Sequence, residues 1–330
     1  TYINPNTSYN RLLIKHNTGS GKTANALGIA SNFIELYRQE ASIGYRDIGS
    51  IYVMAFENSR RAFERELYRY PEFGFISRSE VRAMNLLIKK ASSRRKVDVD
   101  ALAEMKSRIN RRITNRKYNG FFKFIGYKSF ATRLFITTEN ISGLQESEIR
   151  SMVKSGKVMI NMPLLNTFKN SLMICDEVHN IYNSLYKNNW GVAIQTVLDM
   201  VPTVRAVFLS ATPINNSPSE AVDLINLLVP AASRVSRDTL FDKKGRPLPG
   251  AVDTLTKLSV GRISYVVDVD PAYYPSKKFL GVSIPGVDYL KFTRCPMNAF
   301  HRRAYDREME SGSISIEGRY VMDIAFPNPD

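Results

Sequence analysis

Residues 16–23 read His-Asn-Thr-Gly-Ser-Gly-Lys-Thr, and this string constrains the fold more than any other part of the chain. It follows an apolar, strand-like run at residues 12–14 and precedes a segment with helical spacing at about 23–37. A strand, a glycine-rich turn and a helix together are typical of a phosphate-binding loop. Histidine stands at position 16, where the usual pattern begins with glycine. A plain strand-to-helix connection is the alternative, which we disfavour.

The residue types of this loop suit a nucleotide. Gly19 and Gly21 let the backbone curl so that its N–H groups converge on phosphate oxygens. Lys22 would reach the outer phosphates, and the hydroxyl of Thr23 would be a ligand for Mg²⁺. The predicted nucleotide-binding residues are Thr18, Gly19, Ser20, Gly21, Lys22 and Thr23.

The chain of 330 residues carries a formal net charge of +15. This length predicts one large or two medium domains. Residues 78–117 contain 13 Lys and Arg against four Asp and Glu. Such a basic segment predicts a polyanionic partner, nucleic acid above all. A solvated helical surface or a flexible insertion is the alternative interpretation.

Amino-acid composition also indicates the cellular compartment. No window approaches the roughly 20 continuous apolar residues of a membrane span, so no membrane partner is predicted. The two cysteines, Cys175 and Cys295, form neither a disulfide framework nor a metal-ligand cluster, which favours a reducing, cytoplasm-like compartment. Cys175 lies in an apolar run and is predicted to be a small buried side chain. Because the chain begins with Thr and not Met, we expect residues to be missing before it.

Short apolar runs alternate with helical spacing along the first two thirds of the chain. Strands are predicted at 51–54, 134–136, 172–175 and 206–209, and helices at 59–70 and 220–228. This pattern predicts an α/β fold of three layers, in which helices cover both faces of a parallel sheet. A nucleotide would bind at the carboxyl ends of the strands. A basic helical insertion at about 77–118 interrupts the alternation.

Two carboxylates follow the predicted strand at 172–175, in the sequence Asp-Glu-Val-His at 176–179. Asp176 is suited to hold Mg²⁺, and Glu177 to act as the general base that polarises an attacking water. The alternative is an acidic turn that caps a helix.

Small hydroxyl residues follow the next predicted strand, in the sequence Ser-Ala-Thr-Pro at 210–213. Ser210 and Thr212 could bond the 176–179 segment and so sense the γ-phosphate. A Ser/Thr turn in which Pro213 begins a helix is the alternative.

The order of these three motifs resembles that of the superfamily-two helicases and translocases, over most of residues 10–230. The resemblance implies a RecA-like lobe that uses ATP and Mg²⁺. It also implies catalytic roles for Lys22, Asp176 and Glu177, with Thr23 and Asp176 at the metal. His179, Ser210 and Thr212 would couple hydrolysis to movement.

Further residues narrow this resemblance. The region from Leu209 to Pro230 is similar to Snf2-type proteins. The segments at 63–67, 176–180 and 294–297 are similar to the branch from large DNA viruses, which includes the poxvirus nucleoside triphosphate phosphohydrolase I and early transcription factor small subunit. The resemblance implies a DNA-dependent ATPase of viral transcription, with DNA favoured over RNA and with RNA polymerase or other viral transcription proteins as partners. It also implies a location in the virion and host cytoplasm, or in the cytoplasm if the protein is not viral.

The resemblance also shapes the predicted domains. Residues 1–232 would form the ATP-binding lobe, and 233–330 a linker and the incomplete start of a second helicase lobe. The pattern Gln-x-x-Gly-Arg-x-x-Arg, which supplies arginines to the γ-phosphate in the family, does not occur in the sequence. No Gln motif precedes the loop either. With these residues alone, we expect ATP binding and slow hydrolysis.

Nucleic-acid contacts are implied at the loops after the early strands, where Arg60, Arg61 and Lys128 lie. Tyr118 and the phenylalanines at 121, 122 and 124 could stack on bases, although we favour the core for the phenylalanines. Two other functions stay open: a motor subunit of a restriction or remodelling complex, and a structural component that binds nucleotide without turnover.

Overall fold

The computed structural model describes residues 2–17, 19–91, 96–141, 144, 146–182, 189–214, 217–266, 281–284, 287–292 and 296–309. Residues 1–268 form one compact unit, and 269–330 form a second. The strands of the first unit are β1 (Arg11–Lys15), β2 (Ile51–Met54), β3 (Phe122–Ile125), β4 (Phe135–Ile136), β5 (Met159–Ile160), β6 (Leu172–Cys175), β7 (Arg205–Ser210) and β8 (Ile263–Tyr265).

Six of these strands form one parallel sheet in the order β3-β2-β6-β7-β1-β8. The strand β7 lies between β1 and β6, with Val207 in register with Leu12 on one side and with Ile174 on the other. All four residues of β2 and of β6 are buried, as expected for strands covered on both faces. All six strands have their carboxyl ends at the same edge of this sheet.

Helices cover both faces of the sheet. Those of the first unit are α1 (Lys22–Ser42), α2 (Glu57–Arg69), α3 (Arg78–Ala91), α4 (Lys96–Thr114), α5 (Tyr127–Leu134), α6 (Glu146–Lys154), α7 (Met162–Asn166), α8 (Trp190–Met200), α9 (Glu220–Leu228), α10 (Arg237–Leu240) and α11 (Ala251–Ser259).

The buried side chains form two clusters, one on each face of the main sheet, because successive side chains of a strand point to opposite faces. Leu12 and Ile14 pack with α1, α2 and α4, whereas Leu13 lies in the cluster that contains α5, α8 and α9. The fold is therefore α/β and RecA-like, with three layers, as the sequence predicts. Cys175 is fully buried, as predicted, and Cys295 lies outside the described residues.

One predicted strand lies elsewhere. The run at 134–136 was expected in the main sheet, but β4 pairs with β5 in a separate antiparallel ladder, with Phe135 opposite Ile160. The edge position of the main sheet belongs instead to β3, which includes two of the aromatic residues considered above as base-stacking candidates. Phe121 and Phe122 are buried in the core, and Tyr118 is 57% exposed.

The basic insertion forms the two helices α3 and α4. The helix α3 begins with a capping box, because the Ser77 N–H donates to Glu80 Oε2 (2.9 Å) and the Glu80 N–H donates to Ser77 Oγ (3.2 Å). Arg112 of α4 donates to Glu80 Oε1 at 2.6 Å and joins the two helices. Met105 and Ile109 are buried against the sheet. This segment is thus a folded part of the first unit.

Residues beyond 232 continue the first unit. Arg234 forms an ion pair with Asp199 at 2.5 Å, and Leu240 packs with Val222 of α9. The strand β8 then adds to the sheet beside β1, with Ile263 in register with Leu13. The predicted boundary at residue 232 therefore falls inside the first unit, because β8 beyond that boundary pairs with β1 in the main sheet.

The second unit contains β9 (Val282–Ile284) and β10 (Val287–Phe292), which pair antiparallel, and α12 (Ala299–Met309). Its assignment as the start of a second helicase lobe stays a prediction. Within the described parts of both units, no helix is long and apolar enough to cross a membrane.

Candidate nucleotide-binding site

The glycine-rich turn lies between β1 and α1, at the carboxyl edge of the sheet. Gly19 and Gly21 both have φ near +82°, and Gly21 directly precedes α1. A Cβ at either glycine would meet no atom within 4 Å, so the backbone conformation, and not crowding, is what requires glycine there. Ser20 Oγ donates to the Asn17 carbonyl at 2.5 Å and closes the turn. Thr18 lies outside the described residues.

Lys22 is folded over this turn. Its Nζ donates to the carbonyl oxygens of His16 (3.1 Å) and Asn17 (3.2 Å). The ammonium group is therefore held at the loop by two neutral acceptors, which an anionic phosphate can replace. Thr23 lies in the first turn of α1, beside Lys22.

His16 fills a structural position that sequence analysis left unexplained. The side chain is only 5% exposed; its Nε2 lies 3.2 Å from Ser264 Oγ of β8, and its Nδ1 lies 3.3 Å from Asn25 Nδ2 of α1. Burial and the nearby charges of Lys22 and Lys15 lower the pKa of His16. A neutral imidazole thus joins the loop to a helix and to the edge strand. No short-range sequence signal could identify Ser264 as its partner.

The two carboxylates follow β6, two strands away from β1. The Asp176 N–H donates to the Met54 carbonyl at 2.9 Å, which fixes the turn against β2. Burial raises the pKa of Asp176, and the charge of Glu177 raises it further. Glu177 has φ +50°, a left-handed conformation that costs a non-glycine residue about 1–2 kcal/mol. Such backbone strain is commonly found at functional sites.

Three aromatic side chains pack together beside this turn. The Tyr127 hydroxyl donates to the Asp176 carbonyl at 2.6 Å, and its ring lies 5.4 Å from Phe56 and 6.1 Å from Trp190. Phe56 precedes α2, Tyr127 begins α5 and Trp190 begins α8. Three loops at the carboxyl edge therefore pack on one another directly beside Asp176. Sequence reasoning assigned no function to Trp190.

The third motif contacts the second. Ser210, the last residue of β7, is fully buried, and its Oγ lies 2.9 Å from His179 Nδ1 and accepts from the Thr212 N–H at 3.2 Å. His179 Nδ1 also lies 3.3 Å from Glu177 Oε2. Burial lowers the pKa of His179, so at neutral pH the ring is uncharged and its contact with Glu177 is not an ion pair. The structure thus joins His179, Ser210 and Thr212.

A magnesium ion is compatible with this edge. Mg²⁺ prefers oxygen ligands and is commonly bound by one or two carboxylates together with substrate phosphates. Asp176 offers a half-buried carboxylate whose charge is costly in the absence of a cation. Within the described residues, no group of three or more His, Cys, Asp or Glu could hold a metal ion by itself. Asp176 and the Thr23 hydroxyl are the oxygen donors that the sequence predicts for the metal.

The predicted nucleic-acid residues lie at the same edge but outside this contact network. Arg60 of α2 pairs with Glu64 at 3.1 Å and lies over the Phe124 ring at 5.4 Å. Arg61 is exposed, and Lys128 is exposed in the first turn of α5. Their role stays a prediction.

No family model matches the chain. Among curated proteins, an African swine fever virus protein named "Early transcription factor large subunit homolog" is 34% identical over an alignment that covers 99% of this chain and 33% of the relative. A mimivirus protein named "Putative ATP-dependent RNA helicase L377" is 28% identical, with 99% of this chain and 27% of the relative covered. "Putative helicase 087L" of Invertebrate iridescent virus 3 is 21% identical, over 99% of this chain and 28% of the relative.

The chain thus spans about a third or less of the length of these relatives. All three come from large DNA viruses, which agrees with the branch that the motifs resemble. The resemblance pointed to the small subunit of the early transcription factor, whereas the African swine fever virus relative is named for the large subunit.

Proposed function

We propose, from the premise that this chain belongs to a helicase-like family of large DNA viruses, that it contains the ATP-hydrolysing lobe of a nucleic-acid translocase that serves viral transcription. One observation carries the proposal. The phosphate-binding turn with Lys22, the Asp176–Glu177 turn and Ser210 all lie at the carboxyl edge of one parallel sheet, where α/β proteins bind ligands.

The chain's own residues divide the work of hydrolysis. The backbone N–H groups of the turn and Lys22 bind the phosphates of ATP. Asp176 and Thr23 would hold Mg²⁺, which would supply positive charge against the phosphates. Glu177, at the rim of the turn, accepts a proton from the attacking water.

The link from His179 to Ser210 gives the site a means of coupling. Glu177 and Ser210 both lie close to the same imidazole nitrogen, so a change at Glu177 alters the hydrogen bond between His179 and Ser210 at the end of β7. This contact supports a role in which hydrolysis alters the strand that precedes Thr212. We assign the coupling function to His179, Ser210 and Thr212 on this basis.

DNA is the favoured nucleic acid, because the motifs resemble DNA-dependent ATPases of viral transcription. RNA polymerase or another viral transcription protein is the proposed protein partner, and the virion and host cytoplasm are the proposed location. The name of the mimivirus relative specifies an RNA helicase, so the nucleic acid must be tested directly.

The test is ATP hydrolysis by the full-length protein with single-stranded DNA, duplex DNA or RNA. We expect stimulation by DNA and its loss in Lys22→Ala. Lys157→Ala, which changes an exposed lysine that pairs with Glu139, is the matched control and should behave as wild type. ATP binding without stimulation by any nucleic acid would refute the motor and favour a structural component that binds nucleotide without turnover. Activity that requires a restriction or remodelling partner would favour the other motor class.

A further inference from the structure

A polar groove of 710 Å³ lies between α2 and α4, outside the nucleotide site. Asn58, Arg61, Arg65 and Tyr68 follow one another along one face of α2. Across the groove, α4 presents its own polar face. The groove therefore joins a helix that follows a strand of the main sheet to a helix of the basic insertion, for which the sequence predicts a polyanionic partner but no particular site.

The walls of the groove are fixed by packing beneath them. Phe63 of α2 and Met105 and Ile109 of α4 lie in the same buried cluster under the sheet's helices. The Arg112–Glu80 ion pair at 2.6 Å further joins α4 to α3. Because both helices are anchored in one core, the side chains that face the groove are held at fixed spacing. A preorganised surface of this kind loses little entropy on binding.

The lining is basic. Three of its side chains are Arg61, Arg65 and Lys106, and one is acidic, Glu64, which is already paired with Arg60 at 3.1 Å. Arg65 and Lys106 are exposed and form no ion pair within the described part of the chain. Two cations thus face each other across the groove without a carboxylate partner.

The third cation can exchange its partner. Arg61 pairs with Glu57 at 3.1 Å, but both side chains are more than 60% exposed, at 69% and 63%. Such exposed pairs are worth about 0–1 kcal/mol, so a phosphate can replace Glu57. Asn58 and Ser107 add hydrogen-bond donors to the lining, of the kind that commonly contact phosphate and sugar.

The length of the groove suits a nucleic-acid strand. From Asn58 to Tyr68 the α2 axis rises about 15 Å, which corresponds to about four phosphates of one strand at their axial spacing. Asn58 lies in the first turn of α2, just beyond the carboxyl end of β2. The groove therefore begins at the edge of the sheet that carries the nucleotide site and leads away from it along the insertion.

We propose that this groove binds the phosphate backbone of nucleic acid, with Arg65 and Lys106 as its principal contacts, and that the basic insertion exists to build its second wall. The proposal rests on the proposed function, because it extends the path of the nucleic acid on which the motor acts. Contacts of this kind hold the strand without reading its sequence.

The test compares Arg65→Glu/Lys106→Glu with wild type in the full-length protein. Binding of labelled single-stranded DNA, single-stranded RNA and duplex DNA of equal length is measured between about 50 and 200 mM salt. We expect the double variant to bind its nucleic acid at least about tenfold more weakly, with a salt slope smaller by roughly 1.4–1.8 for two lost phosphate contacts. Nucleotide binding and the thermal midpoint should stay at their wild-type values.

The matched control is Arg78→Glu/Arg82→Glu, which makes the same charge change on α3, outside the groove lining. Equal loss of affinity in both double variants would overturn the groove, because net charge alone would then explain the effect. Unchanged affinity in Arg65→Glu/Lys106→Glu would overturn it as well. If wild type binds no nucleic acid at all, the proposed function fails as well. If nucleic acid stimulates ATP hydrolysis by wild type, and Arg65→Glu/Lys106→Glu binds nucleic acid as wild type does, only the groove proposal is refuted.

Discussion

Replacing Ser210 with Ala tests the contact between the second and third motifs. The change removes one oxygen from a fully buried position, where it lies 2.9 Å from His179 Nδ1 and accepts from the Thr212 N–H at 3.2 Å. Thr212 is exposed, so its N–H can bond to water instead, and the loss is that of a typical hydrogen bond, about 0.5–1.5 kcal/mol. His179 Nδ1 keeps Glu177 Oε2 as a neighbour at 3.3 Å. The expected fall in Tm is roughly 1–4 °C.

The assay separates this loss of stability from a loss of coupling. Ser171→Ala is the matched control, because Ser171 is also fully buried and its Oγ accepts from the Ser50 N–H at 2.9 Å, just before β6, at the opposite edge of the sheet. Ser171→Ala should lower Tm at least as much as Ser210→Ala, because Ser50 is buried whereas Thr212 is exposed. Only Ser210→Ala should reduce the stimulation of ATP hydrolysis by nucleic acid while ATP still binds. Equal stimulation in the two variants would refute the coupling role of Ser210.

Three further predictions concern the loop and the insertion. Gly21→Ala, at φ +82°, should cost about 1–2 kcal/mol and weaken ATP binding measured by titration, whereas ATP affinity equal to wild type would contradict the backbone argument. The ion pair with Arg112 lowers the pKa of Glu80 to about 2, and the resulting stabilisation of about 1–2 kcal/mol is present above pH 5 and is lost as the pH falls toward 2. Glu80→Gln should therefore make the free energy of unfolding, measured by denaturant melts, less dependent on pH in the acid range. An unchanged pH profile would contradict this. Arg116 donates to the Gly49 carbonyl at 2.5 Å and lies over the Phe121 ring at 4.8 Å, so Arg116→Lys should lower the free energy of unfolding by about 1–3 kcal/mol despite its conserved charge, whereas stability equal to wild type would show that charge alone suffices.

Much of the fold follows from local pattern. Fully buried parallel strands read as continuous apolar runs, which is why β2, β6 and most of β7 were predicted at 51–54, 172–175 and 206–209. The helix α9 was predicted at its observed bounds, Glu220–Leu228, because its apolar residues recur at helical spacing. The pattern that predicts each of these elements lies within the few residues of the element itself.

Other elements form only through contacts between residues that are far apart in the sequence. Phe135 and Ile136 read as a sheet strand, but their partners are Ile160 and Met159, which no local pattern specifies. The strand β8 was missed for the same reason, because its three residues, two half-buried and one exposed, become a strand only beside β1. The phenylalanines at 122 and 124 were assigned to the core, but no local pattern identified the edge strand β3 that contains them.

The candidate site divides in the same way. The approach of the turn at 16–23 to Asp176 and Ser210 could be predicted, because parallel strands bring their carboxyl ends to one edge. The supporting partners could not: Ser264 meets His16 and Tyr127 meets Asp176 only through the tertiary fold. The motifs therefore predict which residues carry the chemistry, and those assignments stay predictions, whereas the residues that hold them in place are found only from the packing.

The most direct measurement of the central claim is multiple-turnover ATP hydrolysis by Glu177→Gln beside wild type in the full-length protein, with ATP affinity measured on the same samples. Glu139→Gln, an exposed glutamate that pairs with Lys157, is the matched control. We expect Glu177→Gln to bind ATP as wild type does and to hydrolyse it at least about 10²-fold more slowly in the presence of nucleic acid. Hydrolysis by Glu177→Gln at the rate of wild type and of Glu139→Gln would contradict it.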